Sequence, residues 1–162
     1  MVKRLRKIKW DEGVSEMLSF VIVVPFVVLL ICSILSAEQI SAEKQKLTYA
    51  AYVVGRAAVV CENEEYAEAR TDAMMQELYG NDFVDGGFQN SLKPAQGCSD
   101  TYYSLELVGN GTEWQKGNMV KCTVYRYVTP LMPFTSGYRE STIVMMIENG
   151  VNSGTSIGDY TG

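Results

Sequence analysis

Between Glu16 and Glu38 lie 21 residues, Met17 to Ala37, that carry no charge. Wound as a helix at about 1.5 Å per residue they reach roughly 30 Å, the thickness of the hydrocarbon core of a bilayer. No soluble fold has an easy place for such a segment, so it divides the chain before anything else is considered. Ahead of it stand Lys3, Arg4, Arg6, Lys7 and Lys9 against Asp11 and Glu12. The positive-inside rule therefore places residues 1–13 in the cytoplasm as a basic leader, residues 14–37 in the membrane, and the remainder outside. A cleaved secretory signal is the rival reading, because Ser36-Ala37 offers small residues near a cut. The run is longer than an ordinary signal core and has Pro25 in its middle, where a transmembrane helix would kink. Both readings export the rest of the chain.

The net charge of −5 conceals an asymmetry. Residues 1–13 contribute +3 (five basic, two acidic), leaving −8 for residues 14–162 (nine basic, seventeen acidic). An exported part this acidic has no electrostatic footprint for nucleic acid. The chain has no histidine, which excludes Ser-His-Asp and Cys-His catalysis and histidine-based metal sites. Nothing else in the sequence assembles a catalytic constellation, so no enzyme activity, cofactor or metal is expected. Of four cysteines, Cys32 falls inside the span and behaves as a small hydrophobe, while Cys61, Cys98 and Cys122 are exported, where disulfides persist. Three exported thiols allow at most one bridge within the chain. A hairpin returning the strand of Cys122 past the strand just after Cys98 favours a Cys98–Cys122 disulfide. The alternative is three separate thiols, Cys122 alternating with Val120 and Val124 as a buried thiol would.

Helical periodicity continues past the membrane surface. Ile40, Leu47, Ala50, Val54, Ala57 and Val60 recur in steps of 3, 4 and 7, with Glu43, Lys44 and Lys46 on the other side. This predicts one helix from about Val14 to about Val60, half in lipid and half in water. Asn63 is a suitable N-cap for a second helix, with Tyr66, Ala69, Ala73, Met74 and Leu78 as its apolar stripe and Gly80 as its stop. Residues 81–97, with Gly86-Gly87 and Pro94, read as a loop. Three strands come next: Tyr102 to Val108, Met119 to Val128, and Thr142 to Glu148, the last apolar enough to be central or covered. Asn110-Gly111 reads as the turn between the first two. The expected fold is α+β, a long helix packed on an antiparallel sheet of about three strands, within a domain over residues 38–150. The polar tail, residues 151–162, has almost nothing to bury and reads as disordered.

The order of features resembles a family. Gly13 to Pro25 (GVSEMLSFVIVVP), the small-residue segment Gly55-Arg56-Ala57-Ala58, and Lys116-Gly117-Asn118 leading into Val120 to Tyr125 and on to Leu131–Phe134 are similar to the TadE-like minor pseudopilins of the tight-adherence (Flp) pilus system. Together these stretches cover about half the chain. The resemblance implies a structural or assembly subunit, whose partners are membrane lipid, other pilin-like subunits, the pilus assembly machinery and a prepilin peptidase. It further implies cutting between Gly13 and Val14 on the cytoplasmic face, with Glu16 as the register-setting acid. The family's glutamate lies five residues after the glycine, whereas Glu16 lies three after Gly13 and Leu18 holds the fifth place. The alternative from a different class is a membrane-tethered binding or adhesion module.

Overall fold

A helix needs long, unbroken runs without glycine pairs or strand-forming alternation, and the first third of this chain supplies one. In the computed structural model, which describes residues 2–90, 93, 95–109 and 113–150 and the side chains from Gly13 onward except Ser15, helix α1 runs from Val2 to Val59 without interruption. Its 58 residues make an object about 87 Å long at 1.5 Å per residue. It passes through Pro25 and across both expected boundaries, after residue 13 and after residue 37, and begins earlier than the periodicity predicts. The predicted buried stripe is present: Leu47, Ala50 and Val54 are closed from solvent and Ala57 nearly so, with Ile40 and Val60 partly covered.

Helix α2 spans Glu64–Tyr79. Asn63 caps it through Oδ1, which accepts from the Tyr66 N–H at 2.9 Å, and Glu64 and Glu65 occupy the dipole-favoured first turn. Gly80 ends it at φ 55°, a conformation that glycine adopts without strain. The expected stripe is wrong by one face. Ala67, Thr71 and Met75 point into the core, while Tyr66, Ala69, Ala73 and Leu78 are exposed and Met74 is half-buried. Thr71 reads as polar, yet its hydroxyl bonds back to the Ala67 carbonyl at 2.6 Å, so it presents mainly its methyl group to the core.

The sheet has four strands in the order β1 (Phe83–Phe88), β2 (Thr101–Val108), β3 (Met119–Val128) and β4 (Gly137–Met146). The expectation of three antiparallel strands is corrected twice: there is a fourth strand, and it lies parallel to β2, which makes the sheet mixed. That strand, β1, occupies the stretch where Gly86-Gly87 predicts a loop. Gly86 sits opposite Tyr103, and a Cβ there would fall 1.9 Å from the tyrosine ring. The glycine therefore seats a ring rather than making a turn. Strand β4 begins five residues earlier than expected and is an edge strand covered on one face only, with strictly alternating exposure that leaves Val144 and Met146 half in solvent.

Tyr103 and Leu105 of β2 with Val120, Cys122 and Val124 of β3 form the sheet's inner face, all at zero exposure, as the alternation predicts. They meet the stripe of α1 together with Ala67 and Met75 of α2. Gly55, the weakest helix former in this half of α1, lies where a Cβ would stand 3.2 Å from Ile143 of β4, so it permits close approach of helix and sheet. The helix end is closed by two distant segments: after β4, Glu148 N–H bonds the Val59 carbonyl at 2.9 Å, and from the β2–β3 connection Trp114 Nε1 bonds the Cys61 carbonyl at 2.9 Å. The expected turn at Asn110-Gly111 and the expected disordered tail at 151–162 lie outside the described residues.

Candidate functional site

Two stretches of α1 carry the sequence expectations about function. Gly13, Val14 and Glu16 lie within a single turn of continuous helix; Val14 and Glu16 are exposed, and a Cβ at Gly13 would meet nothing within 4 Å. The Gly13–Val14 bond is therefore helical, so the expected cut there would require local unwinding. Glycine costs a helix about 1 kcal/mol relative to alanine, so the weakest residue of this stretch stands beside the bond in question. Pro25 sits within the span and leaves the helix unbroken, although it has no N–H to donate to the preceding turn.

From Met17 to Leu35 every large apolar side chain is exposed, including Phe20, Phe26 and Leu29. No element of the domain covers them. This is the one helix among the described residues that is long and apolar enough to cross a membrane. The pattern changes at Ser36, which is buried. Its hydroxyl accepts from Met132 N–H at 3.0 Å, and Gln39 Oε1 accepts from Leu131 N–H at 2.9 Å. Ser33 Oγ, which also donates to the Leu29 carbonyl, lies 3.6 Å from the Met132 sulfur. The β3–β4 connection is thereby pinned to the helix at the edge of the apolar run. Sequence reasoning sees Pro130 and Pro133 only as breakers. The signal it passes over is the composition between them: Leu131, Met132 and then Phe134 are too apolar for an ordinary solvent turn.

Just above this junction Arg126 draws five elements together. Its guanidinium donates to Asp82 at 2.9 Å and to Thr101 Oγ1 at 3.1 Å, lies 3.7 Å from Glu43 of α1, and stacks over the Tyr79 ring at 5.2 Å. Burial pushes the Tyr79 hydroxyl up to about 12 against the opposing pull of Arg126. A second cluster ties α2 to the sheet. Tyr103 donates to Asp72 at 2.6 Å and Glu68 accepts from Phe88 N–H at 2.6 Å. Burial holds the Asp72 carboxyl above its ordinary value; the Tyr103 hydrogen bond opposes this, and Glu68 and Asp85 add to it. Both clusters are charge-and-hydrogen-bond fastenings between elements. Among the described residues no group of three or more histidine, cysteine, aspartate or glutamate side chains could hold a metal ion.

The thiols do not meet. All four cysteines are unbridged, Cys98 exposed and Cys122 at the centre of the sheet. The expected Cys98–Cys122 bridge fails on register. Thr101, where the strand after Cys98 begins, pairs with Arg126, whereas Cys122 pairs with Leu105 four residues further along, about 13 Å at 3.3 Å per residue. A disulfide needs Cα atoms within about 7 Å. Burial pushes the Cys122 thiol up to about 12 and, against the pull of Arg70, also raises that of Cys61, which favours the thiol over the nucleophilic thiolate.

Surface concavities flank α1 beyond Ser36. One, of about 560 Å³, lies between Gln39, Glu43 and Lys46 on the helix and the Arg126–Leu131 segment. Another, of about 620 Å³, runs between Tyr49 and Tyr52 of α1 and Ser141–Ile143 of the free edge strand β4. The chain matches no family model, no curated protein and no solved structure.

Proposed function

We propose that the protein is a membrane-anchored structural or assembly subunit of a Tad/Flp-type pilus, similar to the TadE-like pseudopilins. In this reading it crosses the membrane once, with residues 1–13 cytoplasmic and residues 38–150 an extracytoplasmic domain. The observation that carries the proposal is that one uninterrupted helix exposes every large apolar side chain from Met17 to Leu35 and forms a wall of the domain core from Leu47 to Val59. A subunit built this way waits in the bilayer and leaves it only if its exposed helix exchanges lipid for other apolar helices. Helix association in lipid rests on close van der Waals packing. The resemblance through Gly13 to Pro25, through Gly55 to Ala58 and through Lys116 to Phe134 supports the same reading.

The alternative, a tethered binding or adhesion module, is favoured by the groove between Tyr49, Tyr52 and β4, where exposed tyrosines adjoin the last strand in the sheet order among the described residues. Processing separates the two. Co-expression with a prepilin-type peptidase and intact-mass analysis should give a mature chain beginning at Val14. A chain that still begins at Met1, or one that begins at Glu38, overturns the pilus reading.

A further inference from the structure

The β3–β4 connection shows a property that a loop facing water has no use for. Its backbone donors are almost all satisfied internally. Of the seven positions from 130 to 136, Pro130 and Pro133 have no N–H. Leu131 and Met132 donate to Gln39 and Ser36, and Thr135 and Ser136 donate to the Met132 and Pro133 carbonyls. Its side chains run the opposite way. Phe134 is 77% exposed and Leu131 55%, while Met132 is tucked against the helix at 7%. Bonded N–H groups beside outward apolar side chains lower the cost of bringing an irregular segment to an apolar boundary, and they suit the membrane interface rather than the hydrocarbon core.

The depth of the loop points to the same interface. Ser36 and Ser33, against which Met132 rests, lie inside the uncharged run, and Ser33 is about 7 Å below Glu38 along the helix axis. Segments that lie in a membrane interface bury their apolar side roughly 5–10 Å into the headgroup and acyl boundary. Tyr138, half exposed and packed edge-on against Tyr127 at 5.2 Å, stands at the base of the loop, where interfacial aromatic residues collect.

We propose that Leu131 and Phe134 insert into the outer leaflet beside α1, making the Pro130–Thr135 loop a second membrane contact of the domain. The proposal rests on the reading of Met17 to Ala37 as a membrane span, and its test separates the two. The full chain is reconstituted in phosphatidylcholine liposomes, with and without bromine on the upper acyl chain, at a protein-to-lipid ratio low enough that copies do not meet. Tryptophan is introduced in turn at Phe134, at Val24 in mid-span, and at Tyr66 on α2, and the emission of the parent protein is subtracted. Phe134→Trp and Val24→Trp should both be quenched at least about twofold by the brominated lipid, and Tyr66→Trp should not. Quenching of Val24→Trp without quenching of Phe134→Trp overturns the loop contact and leaves the span standing. Quenching of neither overturns both. If Phe134→Trp is shielded only at high protein-to-lipid ratio, the loop is a contact between copies and the proposal fails.

Discussion

Two parts of α1, the run from Met17 to Leu35 and the stretch from Ile40 to Val59, differ in composition and have opposite surroundings. Around Leu29 the helix is apolar on every side and covered on none; around Leu47 it is apolar along one stripe, and the stripe is fully covered. In the first half the side chains define a solvent, because a helix apolar all round requires one that is itself apolar. In the second half they define a partner, because a stripe requires a sheet to close it. Periodicity carries structural information only where the surroundings differ from side to side, which is why the stripe signal fades below Ser36 and sharpens above it.

The sharpest way to break this comparison is one substitution made in both halves. Leu47→Ala should cost the domain about 2–5 kcal/mol, through lost burial and the cavity left behind. It should lower the melting temperature of the full chain in detergent by roughly 4 °C or more for each kcal/mol. Leu29→Ala, at a residue 53% exposed, should leave that melting temperature where it was. Equal shifts from the two would mean that the lower half is packed against protein after all.

A smaller effect tests how the upper half is fastened. Arg126→Met removes the hydrogen bond to Asp82 and the charge facing Glu43, keeping much of the apolar stem. It should cost about 1–3 kcal/mol, the range for hydrogen bonds to charged groups. A double-mutant cycle with Glu43→Gln then isolates the part of that cost that runs between sheet and helix. A coupling of zero would leave the apolar stripe as the only thing holding α1 to the sheet at that level.

The smallest effect concerns pH. The folded state holds the Asp72 carboxyl above its unfolded value, so the folded protein binds the proton more tightly in the window between the two. Asp72 accordingly adds stability as pH falls through its raised value and withdraws it as pH rises toward neutrality. This is opposite to the usual acid weakening of paired carboxylates. Asp72→Asn should remove that contribution and steepen the loss of stability on acidification. The change should be no more than about a few tenths of a kcal/mol, since Asp72 is largely exposed and screened. Denaturant midpoints of the two proteins, measured from neutral pH down to the ordinary aspartate range, should diverge only at the acid end. Parallel curves would remove Asp72 from the account.

The same contrast, between local surroundings and distant ones, governs how much of the molecule was legible in the sequence. The long apolar helix, the stripe of α1, the Asn63 cap, the Gly80 stop and the inward faces of β2 and β3 are local patterns, and the structure has all of them. The misreadings required knowledge of a distant neighbour. Gly86-Gly87 forms a strand because the Tyr103 ring lies over Gly86, and Tyr103 is seventeen residues away in the chain. Thr71 outranks Tyr66 in the core of α2 because its hydroxyl is satisfied by its own helix. The Cys98–Cys122 pairing depended on a register that only the assembled sheet defines. The seat of Met132 on Ser36 joins residues ninety-six apart, and no spacing rule reaches that far.

The absence of any break in α1 between Leu35 and Leu47 has a mechanical consequence. A domain tied to its anchor by a coil can swivel, and neither torque nor tilt passes between them. Here a turn of the anchor about its own axis carries the sheet through the same angle, and a pull along that axis reaches the core at Val54 without first taking up slack. The uncovered apolar run and the domain are coupled as a shaft is coupled to its head.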